Sequence, residues 1–257
     1  MASIILMIAC APPQTDTADA GFDGPFPVSL DPPINTLDVP LDKVLRITFS
    51  DHLSAASFSS QKFSLNSNVI TKWIMAYYNP VTHQAVIWPA GKMWPYSEWH
   101  LDINDGLLGL DGKRVKPGTV TSFRTGEQAE DNQPYQHVNF NAQIKPLFES
   151  RCASCHFGPS DNAIAGLSLD STKNIRTNLI STRSKGWPKW DLISPAHPGK
   201  SYLLYKIIGD KRISGLPMPR ILSDNKKAKP LSTEEQELFA NWIASGAAFF
   251  DSDPDQQ

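Results

Sequence analysis

Cysteine is scarce in this chain, with three in 257 residues. So few cysteines exclude a disulfide-stapled scaffold. No run of 18 or more apolar residues occurs, which leaves no segment able to cross a bilayer as a helix. The net charge of −2 lacks the basic excess expected where nucleic acid is the main partner. Residues 11–42 contain no Lys or Arg, while Asp16, Asp19, Asp23, Asp31, Asp38 and Asp42 fall there with prolines from Pro12 to Pro40. What is present fits a globular protein: 40% apolar and 19% charged residues, in a length that suits one large or two ordinary domains. Seven Trp and 21 Pro suit turns and β structure better than a helical bundle.

Two of the three cysteines form the most informative stretch, Cys152-Ala153-Ser154-Cys155-His156. It reads C-x-x-C-H, the attachment pattern for one covalent haem c. Cysteines one helical turn apart reach the two vinyl groups of one porphyrin, and the next residue, His156, lies under the iron as its proximal ligand. Three other readings compete. A zinc half-site needs two further ligands at motif spacing, and His137 and His197 stand alone. A redox dithiol needs a βαβ setting that the surrounding pattern lacks. Chance pairing is the third.

Cys10 closes the run Ile4-Ile5-Leu6-Met7-Ile8-Ala9-Cys10, which is similar to the end of a bacterial lipoprotein signal peptide. The resemblance implies lipidation at Cys10. The segment is short and has no basic residue before it, so a plain export signal or a merely apolar N-terminus also fits. Residues 11–27 read as an acidic, proline-rich tether.

From residue 28 the pattern becomes β. Leu45, Ile47 and Phe49 alternate, as do Trp99, Leu101 and Ile103. Ala85–Trp88 and Val120–Thr125 read as further strands, and Asn104-Asp105-Gly106 and Asp111-Gly112 as turns. Leu45 to Ser50, Trp99 to Gly112 and Ser122 to Gly126 together resemble a bacterial Ig-like domain over 28–127, which implies a spacer sandwich. Trp73, Tyr77, Tyr78, Trp88, Trp94, Tyr96 and Trp99 read as packing residues, with a ligand platform as the alternative. Residues 128–135 read as a linker.

The stretch 136–250 is expected to be helical at both ends, with a tail at 251–257. Ile144, Leu147, Phe148 and Arg151 recur at helical spacing, and Pro146 suits a first turn. Ser232 and Glu235 form a capping box ahead of Leu238, Phe239, Trp242 and Ile243, and Gly246 closes that helix. Phe148 is expected to pack on Phe239 and Trp242. Between the ends, Pro217-Met218-Pro219 is a stiff loop that can hold a thioether over an iron; His197 is the competing ligand, and a simply buried Met218 is the bland reading.

Taken together, Cys152-x-x-Cys155-His156, Pro198-Gly199-x-Ser201-x-Leu203, Met218-Pro219, Leu231-Ser232-x-x-Glu235 and Trp242-Ile243-x-x-Gly246-Ala247 resemble planctomycete-type monohaem cytochrome c domains. Arg220 departs from the proline often found there. The resemblance implies a C-terminal, mainly α cytochrome c fold behind the sandwich. It also implies one covalent haem c, His156/Met218 ligation and single-electron transfer, with no enzyme chemistry. From Lys173 to Lys229 there are 13 Lys and Arg against three Asp, which suits an acidic redox partner or simply a solvated face. The expectation is an exported protein of the bacterial periplasm or cell surface, touching a membrane only through a lipid anchor. Alternatives are a haem sensor or peroxidase-like enzyme with an open sixth iron position, and a surface-assembly or glycan-binding protein using the β domain.

Overall fold

The structure is a computed structural model, and it describes residues 21–159, 162–220 and 229–249. Cys10 and most of the tether lie outside these.

Nine strands form two sheets. They are β1 (Pro27–Asp31), β2 (Thr36–Val39), β3 (Leu45–Phe49), β4 (Phe63–Ser67), β5 (Thr71–Lys72), β6 (Ile74–Asn79), β7 (Gln84–Pro89), β8 (Glu98–Ile103) and β9 (Gly118–Thr125). One sheet runs β1-β3-β7-β6 and the other β2-β9-β8-β4-β5. The period-2 pattern explains their facing. Leu45, Ile47 and Phe49 of β3, with Trp99, Leu101 and Ile103 of β8, all point into one core with Phe63, Leu65, Ile87 and Phe123. The strands expected from the sequence around 45, 85, 99 and 120 fall within β3, β7, β8 and β9.

The expected two-domain class, an Ig-like sandwich followed by a mainly α cytochrome c fold, is not what forms. The chain is a single β-rich body with two sheets and few helices. Among the described residues, the sheets are followed by α1 (Lys145–Leu147), α2 (Thr172–Leu179), α3 (Tyr202–Ile208) and α4 (Thr233–Ala244), with short 3-10 and π turns between. The reason lies in the intervening residues. Gly186, Pro188, Pro195, Pro198, Gly199, Gly215, Pro217 and Pro219 break helices wherever one could continue. Isolated bridges such as Ile180–Ile193 and Arg183–Asp191 replace them.

The helical part has its own core of Phe140, Ile144, Phe148, Leu204, Phe239, Trp242 and Ile243. Phe148 packs on Phe239 at 5.2 Å and on Trp242 at 6.3 Å between ring centroids. Ser232 and Glu235 complete the capping box of α4.

Two mixed clusters fuse the parts. Ala55 and Leu110 join Trp190, Tyr202, Tyr205 and Ile213, while Val44, Tyr77 and Val86 join Ala244 and Tyr135. Residues 128–135 are a fixed strap. Asp42 accepts from the backbone N–H groups of Glu130 and Asn132, and Tyr77 donates to the Pro134 carbonyl at 2.8 Å.

A buried polar clasp adds to this seam. His52 Nε2 meets Asp210 Oδ2 at 3.0 Å, and its Nδ1 meets the Tyr78 hydroxyl at 3.1 Å. Arg212 spans Asp51 and Asp210, with contacts of 2.8 Å to each. Burial, and then the His83 ring beside it, push the His52 pKa down to about 4. Nothing local in the sequence announces this clasp, because its members are separated by more than 150 residues.

Candidate functional site

The C-x-x-C-H stretch ends a continuous helical segment made of Phe140–Ile144, Lys145–Leu147 and Phe148–Cys152. Asn139 caps its start by accepting from Ala142 N–H at 2.7 Å, and Pro146 sits in the first turn of its short α stretch. The turns on either side of Lys145–Leu147 are wide π turns. Ile144 and Phe148 anchor the segment in the core, and Cys152 packs against the same core. Arg151 fixes the segment to α4 through Glu235 at 2.6 Å.

Beyond Cys152 the backbone coils once more. The Cys152 carbonyl accepts from Cys155 N–H at 3.2 Å and His156 N–H at 3.0 Å. The chain then loops back on itself: Ile164 N–H donates to the Cys155 carbonyl at 3.2 Å, and Leu169 N–H to the His156 carbonyl at 2.7 Å. This return brings the Leu167 carbonyl to 3.1 Å from His156 Nδ1. A carbonyl can only accept, so Nδ1 donates to it, which leaves Nε2 outside this bond. His156 is 9% exposed and therefore held in one orientation. Next to it, Phe157 and Ile164 are exposed at 66% and 54%, an apolar fringe around an otherwise polar turn.

Cys152 and Cys155 are both free thiols. Burial, and secondarily the neighbouring Cys155, push the Cys152 thiol up to about 12. Such a group stays neutral near pH 7. Among the described residues, no group of three or more His, Cys, Asp or Glu is placed to hold a metal ion.

The sequence-derived site residues thus fall on separate elements. Cys152, Cys155 and His156 are brought together with Leu167. Met218 is held on α3 instead: its N–H donates to the Lys206 carbonyl at 2.8 Å, and Lys206 Nζ donates to the Ser214 and Leu216 carbonyls. Met218 is half-buried there. His197 lines a cavity of about 210 Å³ with Phe58, Tyr78 and Gly199, on the side of the helical part that faces the sandwich. Burial, and then Lys200, lower its pKa. Sequence reasoning missed Leu167, whose contribution is a backbone carbonyl and so leaves no side-chain signal.

No family model matches the chain, and no curated protein matches it. The expected membership of a cytochrome c family joined to an Ig-like domain is therefore corrected. No family model supports either part, and the described residues are mostly β-sheet with few helices. The cytochrome and electron-transfer labels that went with that membership fall with it.

Three of those structures illustrate the likeness. Domains 1–6 of the surface-layer protein SbsC share 13% identity over 41% of this chain and 14% of that one, with a TM-score of 0.33. CopC from Methylosinus trichosporium OB3b shares 15% over 42% of this chain and 98% of its own, at 0.30. L,D-transpeptidase 1 of Mycobacterium tuberculosis shares 14% over 40% and 39%, at 0.28. The chain spans at most 24% of the surface-layer chains it matches. At these values none of them bears on what the chain does.

Proposed function

We propose that this is an exported protein that binds one haem covalently at Cys152, Cys155 and His156 and uses it for one-electron chemistry. The observation that carries the reading is the His156–Leu167 hydrogen bond within a C-x-x-C-H turn. A histidine whose Nδ1 proton is tied to a carbonyl presents Nε2 as a fixed ligand, as metal-bound histidines commonly do. A porphyrin brings four nitrogens of its own, so it asks of the chain two thiols and one or two axial groups, and no cluster of protein ligands.

The residues fit that request. Two unbridged thiols stand one turn apart, the histidine follows directly, and exposed Phe157 and Ile164 border the turn as apolar cover for a flat ring. When bound, the haem supplies a reversible one-electron couple at its iron. Cys152 and Cys155 would hold the ring edge; His156 would ligate from the proximal side; Leu167 would keep the Nδ1 proton in place; Met218 would supply the distal thioether. The basic residues between Lys173 and Lys229 would face an acidic redox partner. Export rests on the Cys10 segment, and no helix among the described residues is long and apolar enough to cross a membrane.

The visible spectrum of protein produced in a host that matures covalent haem tests the reading. A low-spin spectrum with a methionine-to-iron charge-transfer band supports it. A high-spin ferric spectrum would instead give an iron with an open position, fit to bind a small ligand. Haem-free protein would remove the proposal altogether.

A further inference from the structure

We propose that the edges of the two sheets where they adjoin, the β4–β5 turn and β5 of one and the start of β6 of the other, form a docking surface for an anionic phospholipid bilayer. This goes beyond the haem reading and does not rest on it. Four apolar side chains stand in solvent along this edge: Val69 at 74% exposure, Ile70 at 43%, Trp73 at 85% and Met75 at 45%. Trp73, Met75 and Tyr77 succeed one another at period 2. Tyr77 is covered by Ala244 and Tyr135, whereas Trp73 stays largely and Met75 about half in solvent.

The turn that presents Val69 and Ile70 is fixed, with Ser67 N–H donating to the Ile70 carbonyl at 2.9 Å and Ser67 Oγ to the same oxygen at 3.1 Å. Two further bonds draw the end of β7 to the same place: Ala90 N–H to the Trp73 carbonyl at 2.8 Å, and Lys72 Nζ to the Lys92 carbonyl at 2.7 Å.

Charge decides the occupant. From His52 to Ser97 the chain has no Asp or Glu, and Lys62, Lys72 and Lys92 are its charged residues. Two acids approach the edge from β8: Asp102 accepts from Asn66 Nδ2 at 2.8 Å and from Thr119 Oγ1 at 2.5 Å, and Glu98, one residue past the Ser67–Trp99 pair, reaches His100 at 4.0 Å. Lys62 lies at the far end of β4, bonded to the Asp105 carbonyl. A turn tipped with Val and Ile, a tryptophan beside it, and Lys72 and Lys92 next to it match the layered chemistry of a bilayer surface. Acyl chains take the tip, the interface takes the indole, and anionic headgroups take the ammonium groups. A second protein would more often meet a concave or flat apolar patch with mixed charge at its rim.

Vesicle sedimentation with the full chain carrying Cys10→Ser, so that no acyl group contributes, tests this. Binding to phosphatidylcholine vesicles containing phosphatidylglycerol should exceed binding to phosphatidylcholine alone at least about tenfold. Trp73→Ser should lower it about tenfold or more, and Lys72→Glu with Lys92→Glu about fivefold per lysine. Phe26→Ser, at an exposed apolar position outside the patch, should leave it unchanged. Equal binding to both vesicle types, or full binding by Trp73→Ser with unaltered circular dichroism, would overturn the proposal. So would dimers abolished by Trp73→Ser in the absence of vesicle binding, which would assign the edge to a second copy of the chain.

Discussion

The Nδ1 of His156 lies 3.1 Å from the carbonyl oxygen of Leu167, eleven residues further along the chain. That contact sets the tautomer and the angle of the ring at once, and it does so through a loop that is itself bonded to both Cys155 and His156. The motif is therefore held from two sides. The helical segment carries Cys152 from the core, and the returning loop fixes His156.

Met218 is the proposed distal ligand. Met218→Ala should leave haem attached but shift the iron toward high spin, and lower the midpoint potential by on the order of 100 mV or more. Met218→His should stay low-spin at a lower potential. Optical redox titration reads both. If His197→Ala abolishes low-spin character while Met218→Ala leaves spectrum and potential intact, the distal assignment to Met218 is wrong.

Phe148 carries much of the link between the motif and the helical core. It is fully buried and touches both Phe239 and Trp242. Phe148→Ala should cost about 3–5 kcal/mol, seen as a lower urea midpoint. Phe148→Leu should cost far less. Equal midpoints for the alanine variant and the parent would show that this contact does not support the fold.

Stability should fall in mild acid because of His52. Its folded pKa of about 4 lies below the ordinary histidine value, so the unfolded chain binds the proton first. The stabilisation is therefore complete above about pH 6.5 and drains as pH drops toward 4, by up to about 3 kcal/mol. Burial is the leading cause. The facing groups on every side are His83, Tyr78, Tyr205, Asp51, Asp210 and Arg212, and Arg212 already offsets much of the two carboxylates. Urea unfolding at pH 7 and pH 4.5 checks the sign, and His52→Gln should flatten the slope. A stability that rises on acidification would contradict the account.

Cys10 lies outside the described residues, and its proposed lipidation is tested by fractionation. In the Trp73→Ser background, where the proposed sheet-edge contact is removed, Cys10→Ser should move the protein from the membrane fraction to the soluble one. An unchanged distribution would remove the lipid anchor.

Local patterns were readable in the sequence where a side chain's neighbour lies within a few residues. The period-2 runs at Leu45–Phe49 and Trp99–Ile103, the Ser232–Glu235 capping box and the helical spacing of Ile144 and Phe148 all declare themselves in this way. The fold class is not legible from the helical ends, because the glycines and prolines between Gly186 and Pro219 keep the stretch between them from being helical. The fusion of the two halves was invisible for a different reason. His52 and Asp210, Asp51 and Arg212, and Val44 and Ala244 meet only through tertiary packing. At the candidate site the two thiols and His156 were legible from spacing alone. The Leu167 carbonyl was not, since any residue could supply it.

The covalent haem is the centre of the account, and intact-mass spectrometry after acid–acetone extraction tests it most directly. The parent chain, made where covalent haem is matured, should retain the mass of one haem and give one equivalent in the pyridine haemochrome assay. The Cys152→Ser, Cys155→Ser double variant should retain none. A parent chain of apoprotein mass, or a double variant that keeps its haem, would contradict the account.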